Sequence, residues 1–304
     1  MSGSTFSIKR LRFTFTLSSN AVFAGTNSNV LTVGGSGIGL RATATIKGSG
    51  LPAFPEADFQ IWGMKQDDMV SLTALQFQPL AMQRNTVQCD ASADNGVTWT
   101  TVFIGQIVTS GPDWTQMPDV PLNVTARLLA FESLNPAAAT SYTGSTSVES
   151  IVSTLAAKLG KTFYNNGVSV QLSNPYFAGT LAQQLRKVAL QAGIDVYNDP
   201  GANVIEICPK GVPRNVATFN LSPTSGLLSQ PQLDYNRGFV KVRAYFNPAF
   251  RFGGPLTVSG SLVPTANGSW CIGTITNTLS SLLPGGPWES GMLLYPPNTL
   301  PPIS

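Results

Sequence analysis

The chain has 304 residues, enough for two or three domains and for a core that needs no disulfide or metal. Only 11% of residues are charged and the net charge is +3, against roughly 25% charged in a typical soluble domain, which points to a permanent assembly rather than a solvated monomer and is too weak and scattered to argue for nucleic-acid binding. The absence of histidine excludes Ser-His-Asp and Cys-His catalysis and histidine metal sites, leaving carboxylate-only chemistry open.

Met1–Thr5 has no basic segment followed by an apolar run, so no signal peptide is expected. No stretch reaches the ~20 apolar residues of a membrane-spanning helix. Lys9-Arg10-Leu11-Arg12 is the densest basic run and reads as one solvated strand edge. Phe13, Phe15 and Leu17 alternate with Arg12, Thr14 and Thr16, the pattern of a half-buried strand. Further strands are predicted over Leu40–Ile46, Phe59–Gly63 and Val120–Phe131. Val87–Ala91 and Val97–Ile107 flank Asp94-Asn95-Gly96 and predict a hairpin.

The period changes after Asn135–Gly144, a Pro/Ala/Thr/Gly stretch that reads as a linker. Ser147 is placed to cap a helix with Val148, Ile151, Val152, Leu155 and Leu159 at helical spacing, ended by Gly160. Asn166-Gly167 predicts a hairpin between Thr162–Tyr164 and Val168–Leu172. Thr180 caps a second helix, with Leu181, Leu185, Val188, Ala189 and Ala192 on one face and Gly193 at its end. A second hairpin follows, from Ile194–Tyr197 to Val204–Ile207. The pattern then returns to β, with alternation over Phe239–Phe246 and strands over Leu256–Leu262 and Trp270–Leu279. From Leu293 onward the chain is Pro-rich and reads as an extended tail. The fold class expected is α+β, mainly β: a first β domain over 1–140, a helix-hairpin-helix-hairpin insert over 141–211, and a second β domain with the tail over 212–304.

Chemical motifs are scarce. In the Gly34–Gly39 loop, Leu40 stands where GxGxxG needs glycine, and no βαβ unit surrounds it. Glu56, Asp58, Asp67 and Asp68 cluster in sequence, and a glycosidase could use two of them; a solvated loop is the plainer reading. Trp99, Trp114, Trp270 and Trp288 suit either a sugar platform or core and subunit contacts. The helix pair lacks a tight helix-helix turn, and its second helix carries only Arg186 and Lys187, which argues against a DNA-reading motif. Cys89, Cys208 and Cys271 are too widely spaced for a disulfide framework or zinc site, so free buried thiols in a reducing compartment are expected. The sequons at Asn123 and Asn267 read as chance matches. No catalytic, cofactor-binding or metal-ligating residue and no cofactor is assigned.

The order of the motifs carries more. Ser147-x3-Ile151-Val152-x2-Leu155-Ala156-x2-Leu159-Gly160, then Gly179-Thr180-x2-Gln183-x-Leu185-x2-Val188-Ala189-x2-Ala192-Gly193, then Ile205-x-Ile207-x2-Lys210-Gly211, resembles the central domain of tail baseplate hub proteins of contractile-tailed, Mu-like phages. Leu221-Ser222-Pro223-x2-Gly226-Leu227-Leu228-x2-Pro231, Gly238-Phe239-x-Lys241-Val242 and Phe246-Asn247-Pro248 with Gly253 are similar to the block that follows it. Phe103-Ile104-Gly105-Gln106-Ile107 upstream, and Trp270-Cys271-Ile272 with Trp288 downstream, extend the likeness over most of the chain. Asn277 departs from it, standing near where related hubs often carry histidine.

The resemblance implies a structural protein, not an enzyme, with two domains of the tail-tube fold, barrel or sandwich, per subunit. It implies a homotrimer whose pseudo-sixfold ring joins the sixfold tail tube protein to the threefold central spike protein. Other baseplate proteins, the tape-measure protein in the lumen, and DNA in transit are the remaining partners, with no membrane insertion. The protein is then made in the host cytoplasm and resides in the virion tail. A carbohydrate-binding tail or adhesin β protein and a tail-associated carboxylate hydrolase are the alternatives.

Overall fold

The computed structural model describes residues 7–299 except 19–20, 24, 36, 38, 49, 52, 74–83 and 235–237. The expectations for Met1–Thr5, for positions 36 and 38 of the glycine loop and for the end of the tail lie outside the described residues. In chain order the elements are β1 (Arg10–Thr16), β2 (Val30–Val33), β3 (Ala42–Gly48), β4 (Glu56–Trp62), α1 (Gln66–Ser71), β5 (Thr86–Ser92), β6 (Thr100–Pro112), β7 (Pro121–Arg127), α2 (Ala130–Leu134), β8 (Pro136–Ser141), β9 (Ser145–Ser147), α3 (Val148–Lys158), β10 (Thr162–Asn165), β11 (Gln171–Ser173), β12 (Tyr176–Thr180), α4 (Leu181–Ala192), β13 (Ile194–Asn198), β14 (Val204–Pro209), β15 (Phe219–Leu221), β16 (Gln232–Asp234), β17 (Phe239–Tyr245), β18 (Pro255–Val258), β19 (Gly268–Ser281) and β20 (Trp288–Tyr295). The fold is α+β and mainly β, as expected.

Both β regions belong to one 13-stranded sheet, ordered β16-β17-β20-β19-β3-β4-β7-β6-β5-β1-β2, with β18 and β15 branching from β19. The sheet is open and does not close into a barrel. The junction is β19. Its first residues pair with β18, and Ile275–Ser281 pair with Gly48–Ala42 of β3. A strand of 14 residues is long enough to serve both neighbours.

Alternation places the cores. In β1, Leu11, Phe13 and Phe15 point inward while Arg12, Thr14 and Thr16 point outward. Phe59 stands between Phe13 and Phe103, edge to face at 5.3 and 5.7 Å. A second apolar cluster, built on Val240, Val242, Leu256, Ile272, Met292 and Leu294, lies under the other end of the sheet.

The third cluster is helical. Val148, Ile151, Val152 and Leu155 of α3 meet Leu185 and Val188 of α4 over β13 and β14. Ser147 Oγ accepts from the Ser150 amide at 3.2 Å. Thr180 and Gln183 form a reciprocal capping box, with bonds of 3.2 and 3.1 Å. Such caps contribute about 0.5–2 kcal/mol each. Gly193 ends α4 at φ 62°, a left-handed conformation that glycine adopts without a Cβ clash.

Four local expectations are corrected. Asn166-Gly167 does turn, held by bonds of 2.9 and 2.8 Å between the Asn165 side chain and Val168 backbone, but the flanking strands do not pair with each other. Instead β10 runs parallel to β14, and β11 pairs with β9. The turn residues set the local bend; the buried strand holding Ile205 and Ile207 decides the partner of β10. Second, the 135–144 linker contains β8, paired with β12. Its small residues let Gln184 Nε2 reach the Ala138 carbonyl at 3.0 Å. Third, Leu293–Tyr295 are not tail but the end of β20, which is paired on both sides. Fourth, the 9–12 run is not a freely solvated edge: Arg10–Arg12 pair with Ser92–Asp90 of β5, and Lys9, Arg10 and Arg12 are only half-exposed, although β2 covers β1 only from Phe13 onward. Arg12 pairs with buried Asp90 at 2.8 Å, Arg10 donates to the Gly37 carbonyl, and Lys9 Nζ sits 5.6 Å from the Tyr245 and Trp288 rings.

The β5–β6 turn carries a pH-sensitive fastening. Side-chain hydrogen bonds from Thr98 and Ser92, with the Thr98 and Val97 amides, hold the Asp94 carboxyl down at about 2. A depressed carboxyl contributes stability above its unfolded value, lost as pH falls from 3.8 through about 2. We expect amide protection at Val97 and Thr98 to disappear over that window in exchange measurements. Unchanged protection in Asp94→Ala at pH 7 would contradict it.

Candidate functional site

The candidate functional feature is a surface. Across β17, β20, β19, β3, β4 and β7, the residues facing away from the cores fall into continuous rows. One row reads Arg243, Gly291, Thr276, Lys47, Glu56 and Arg127; the next reads Tyr245, Glu289, Thr278, Thr45, Asp58 and Thr125. Strand alternation forces this: the neighbours Ala44, Ala57, Ala126, Met292 and Ala244 are buried, so the intervening residues must point outward.

The charges in these two rows balance, three basic against three acidic, with Lys241 as a further base on the same face of β17. Glu56 accepts from Lys47 at 3.1 Å and from Arg127 at 3.3 Å. The Lys47 hydrogen bond is the main cause that holds its carboxyl below the usual range. Arg243 grips Glu289 with bonds of 3.0 and 2.7 Å, and Asp58 accepts from Thr125 at 2.8 Å. Exposed pairs of this kind contribute about 0–1 kcal/mol each. Their consequence is electrostatic: a wide, hydroxyl-rich face with little net field. At the end of the sheet beyond β1, β2 is a strand of Val, Leu, Thr and Val with β1 on one side, and it carries no charge or proline to blunt its edge.

The acids weighed for catalysis fall in two places, Glu56 and Asp58 two positions apart on one face of β4 and Asp67 and Asp68 on α1. Glu56 and Asp58 lie on the sheet face in the roles just given, and Asp67 and Asp68 lie in the first turn of α1. The tryptophans are likewise scattered. Trp99 lies under Arg12, Trp270 donates to the Ala266 carbonyl at 2.8 Å, Trp288 is buried against Phe246, and Trp114 is exposed. Gly34 and Gly39 belong to the connection between β2 and β3, with no helix following. Asn277 accepts from Ser290 Oγ at 2.7 Å. All three cysteines are free and buried; burial pushes Cys208 and Cys271 up to about 11. Among the described residues, no group of three or more His, Cys, Asp or Glu could hold a metal ion, and no helix is long and apolar enough to cross a membrane.

The sequence reading did not single out Arg214, whose side chain is only 1% exposed and pairs with Asp199 at 2.6 Å and with Glu206. The lone arginine in Val212-Pro213-Arg214 gives no local pattern, because its partners lie on the β13–β14 hairpin. The ion-pair row was legible only as isolated charges at outward strand positions.

The sequence profile of the family described as Baseplate hub gp41 matches residues 70–282. In fold, the chain is similar to a tail protein from Neisseria meningitidis MC58, with a TM-score of 0.60 at 12% identity, covering 93% of this chain and 96% of that one. It is also similar to the 43 kDa tail protein of prophage MuSo2 from Shewanella oneidensis, with a TM-score of 0.60 at 10% identity, covering 98% and 100%. The E. coli c3393 protein, a type VI secretion component with structural similarity to T4 tail proteins gp27 and gp5, gives a TM-score of 0.57 at 12% identity, covering 86% and 77%. No curated protein sequence matches the chain. With the profile spanning most of the chain, this protein belongs to the baseplate hub gp41 family, and its role is a structural one in a phage tail baseplate.

Proposed function

We propose that three copies close into a pseudo-sixfold ring that adapts the tail tube to the central spike and encloses the tail channel. The 1–140 and 212–304 regions act as its two tube-like units, with 141–211 as an insert between them. The observation that carries this is the exposed, charge-paired sheet face spanning both β regions. Such a face suits a channel wall, because paired lysine and arginine offer a passing phosphate backbone little to hold. The unblunted edge at β2 and the low overall charge support burial between copies. The tube, spike, tape-measure and other baseplate proteins are the partners of this reading. Synthesis occurs in the host cytoplasm before assembly into the virion, and the chain has no catalytic activity of its own.

Light scattering at micromolar concentration, alone and with the spike protein, is expected to give a trimer in at least one condition. A monomer in both would overturn the ring. Fluorescence anisotropy with a short labelled duplex is expected to give a dissociation constant no tighter than roughly micromolar at physiological salt. Nanomolar, salt-sensitive binding would refute the neutral wall. Zymography on cell-wall material should show no clearing; clearing abolished by replacing Glu56, Asp58 or Asp68 would favour a hydrolase instead.

A further inference from the structure

The insert packs on the first β region through Ala182 and Leu159 and through Leu51 of the β3–β4 loop, and it also touches β6 at the tip of the β13–β14 hairpin, where two residues are treated in opposite ways. Asp199 is gripped. Its carboxylate accepts from Arg214 at 2.6 and 2.9 Å and from Arg251 at 3.1 Å. Arg214 also bonds Glu206 and donates to the Phe252 carbonyl at 3.1 Å, and its backbone amide reaches the Gly253 carbonyl at 2.8 Å. Next door, the Asn198 side chain has no hydrogen-bond partner on either amide atom. The residue is 9% exposed, and its surroundings include Leu51, Phe54, Leu185 and Val196, with no space for a water molecule.

These facts share a cause. Side chains alternate along a strand, so turning Asp199 toward Arg214 turns Asn198 the other way, into an apolar wall. A buried amide without partners is destabilising. On its sheet side the same tip rests on β6. There the Ile104 amide donates to the Pro200 carbonyl at 2.6 Å, and a Cβ on Gly201 would collide with the Thr101 carbonyl.

We propose that this joint is a sprung latch: the Arg214–Asp199 clamp holds the hairpin tip against the sheet while forcing Asn198 into an unpartnered position, so the tip is poised to lift off β6 while the apolar contacts of α4 stay in place. The sheet does not need to open for this, because β3 and β19 join the two β regions independently of the insert. Release gives the Asn198 amide access to water and frees Pro200 from Ile104. The Ile104 amide hydrogen is therefore the reporter of the latch.

The test is amide hydrogen exchange on the full chain, comparing Ile104 with amides of β3. Asn198→Val removes the strained amide and is expected to slow exchange at Ile104 about tenfold. Arg214→Met removes the clamp and is expected to speed exchange at Ile104 more than about tenfold. Exchange at Ile104 that is unchanged or faster in Asn198→Val would overturn the latch, whether or not Arg214→Met folds. Ile104 exchanging at the same opening free energy as β3 in the parent chain would also overturn it, because the tip would then open only with the whole sheet.

Discussion

Replacing Phe59 with alanine is expected to remove about 3–5 kcal/mol of stability. The ring is 1% exposed and bridges Phe13 and Phe103, which come from strands 46 and 44 positions away in sequence. Removing it leaves a cavity and deletes two edge-to-face contacts, each worth about 0.5–1.5 kcal/mol beyond area burial. Neither neighbour can collapse into the gap, because Phe13 and Phe103 are fixed by ladders to β5. Urea denaturation measures the loss. Trp114→Ala is the control: that side chain is 46% exposed, so its change should stay within about 0.5 kcal/mol. Equal midpoints for the two variants would show that Phe59 is not at the centre of this core.

Leu155→Ala is expected to cost about 2–5 kcal/mol, and to act first on the insert. Leu155 is fully buried among Ile151, Leu185 and Val188, in a cluster whose residues come almost wholly from 148–207. The long helices α3 and α4 both lie in this segment, so the far-UV helical signal reports on it. That signal should melt at lower denaturant in the variant. A midpoint equal to that of the parent chain would refute the placement of this α3 face.

Much of the fold was legible locally. Phe13 and Phe15 announce β1 because a period of two is a property of one strand. Ser147, Thr180 and Gly193 announce the helix ends because caps are made by neighbouring residues. The motif order carried the family before any contact was known. Asn166-Gly167 was a true turn signal, yet it misled, because a turn fixes direction and not the partner of the strand that leaves it. The outward charges Lys47, Glu56 and Arg127 were visible singly. Their ladder was not, since it depends on the register of β3 with β4 and of β4 with β7, whose Arg127 lies 71 positions from Glu56.

The sequence by itself determined the apolar faces of β1, α3 and α4, where those two helices begin and end, that histidine chemistry is absent, and which family the chain resembles. These follow from composition, periodicity and capping, all of which act within a few residues. Only the tertiary structure decided that both β regions share one open sheet through β19 and β3, that charges on its exposed face pair across strands, and that Arg214 fastens the insert while Asn198 is left without a partner. Those outcomes rest on long-range pairing and on burial of polar groups, whose energies depend on what arrives from elsewhere in the chain.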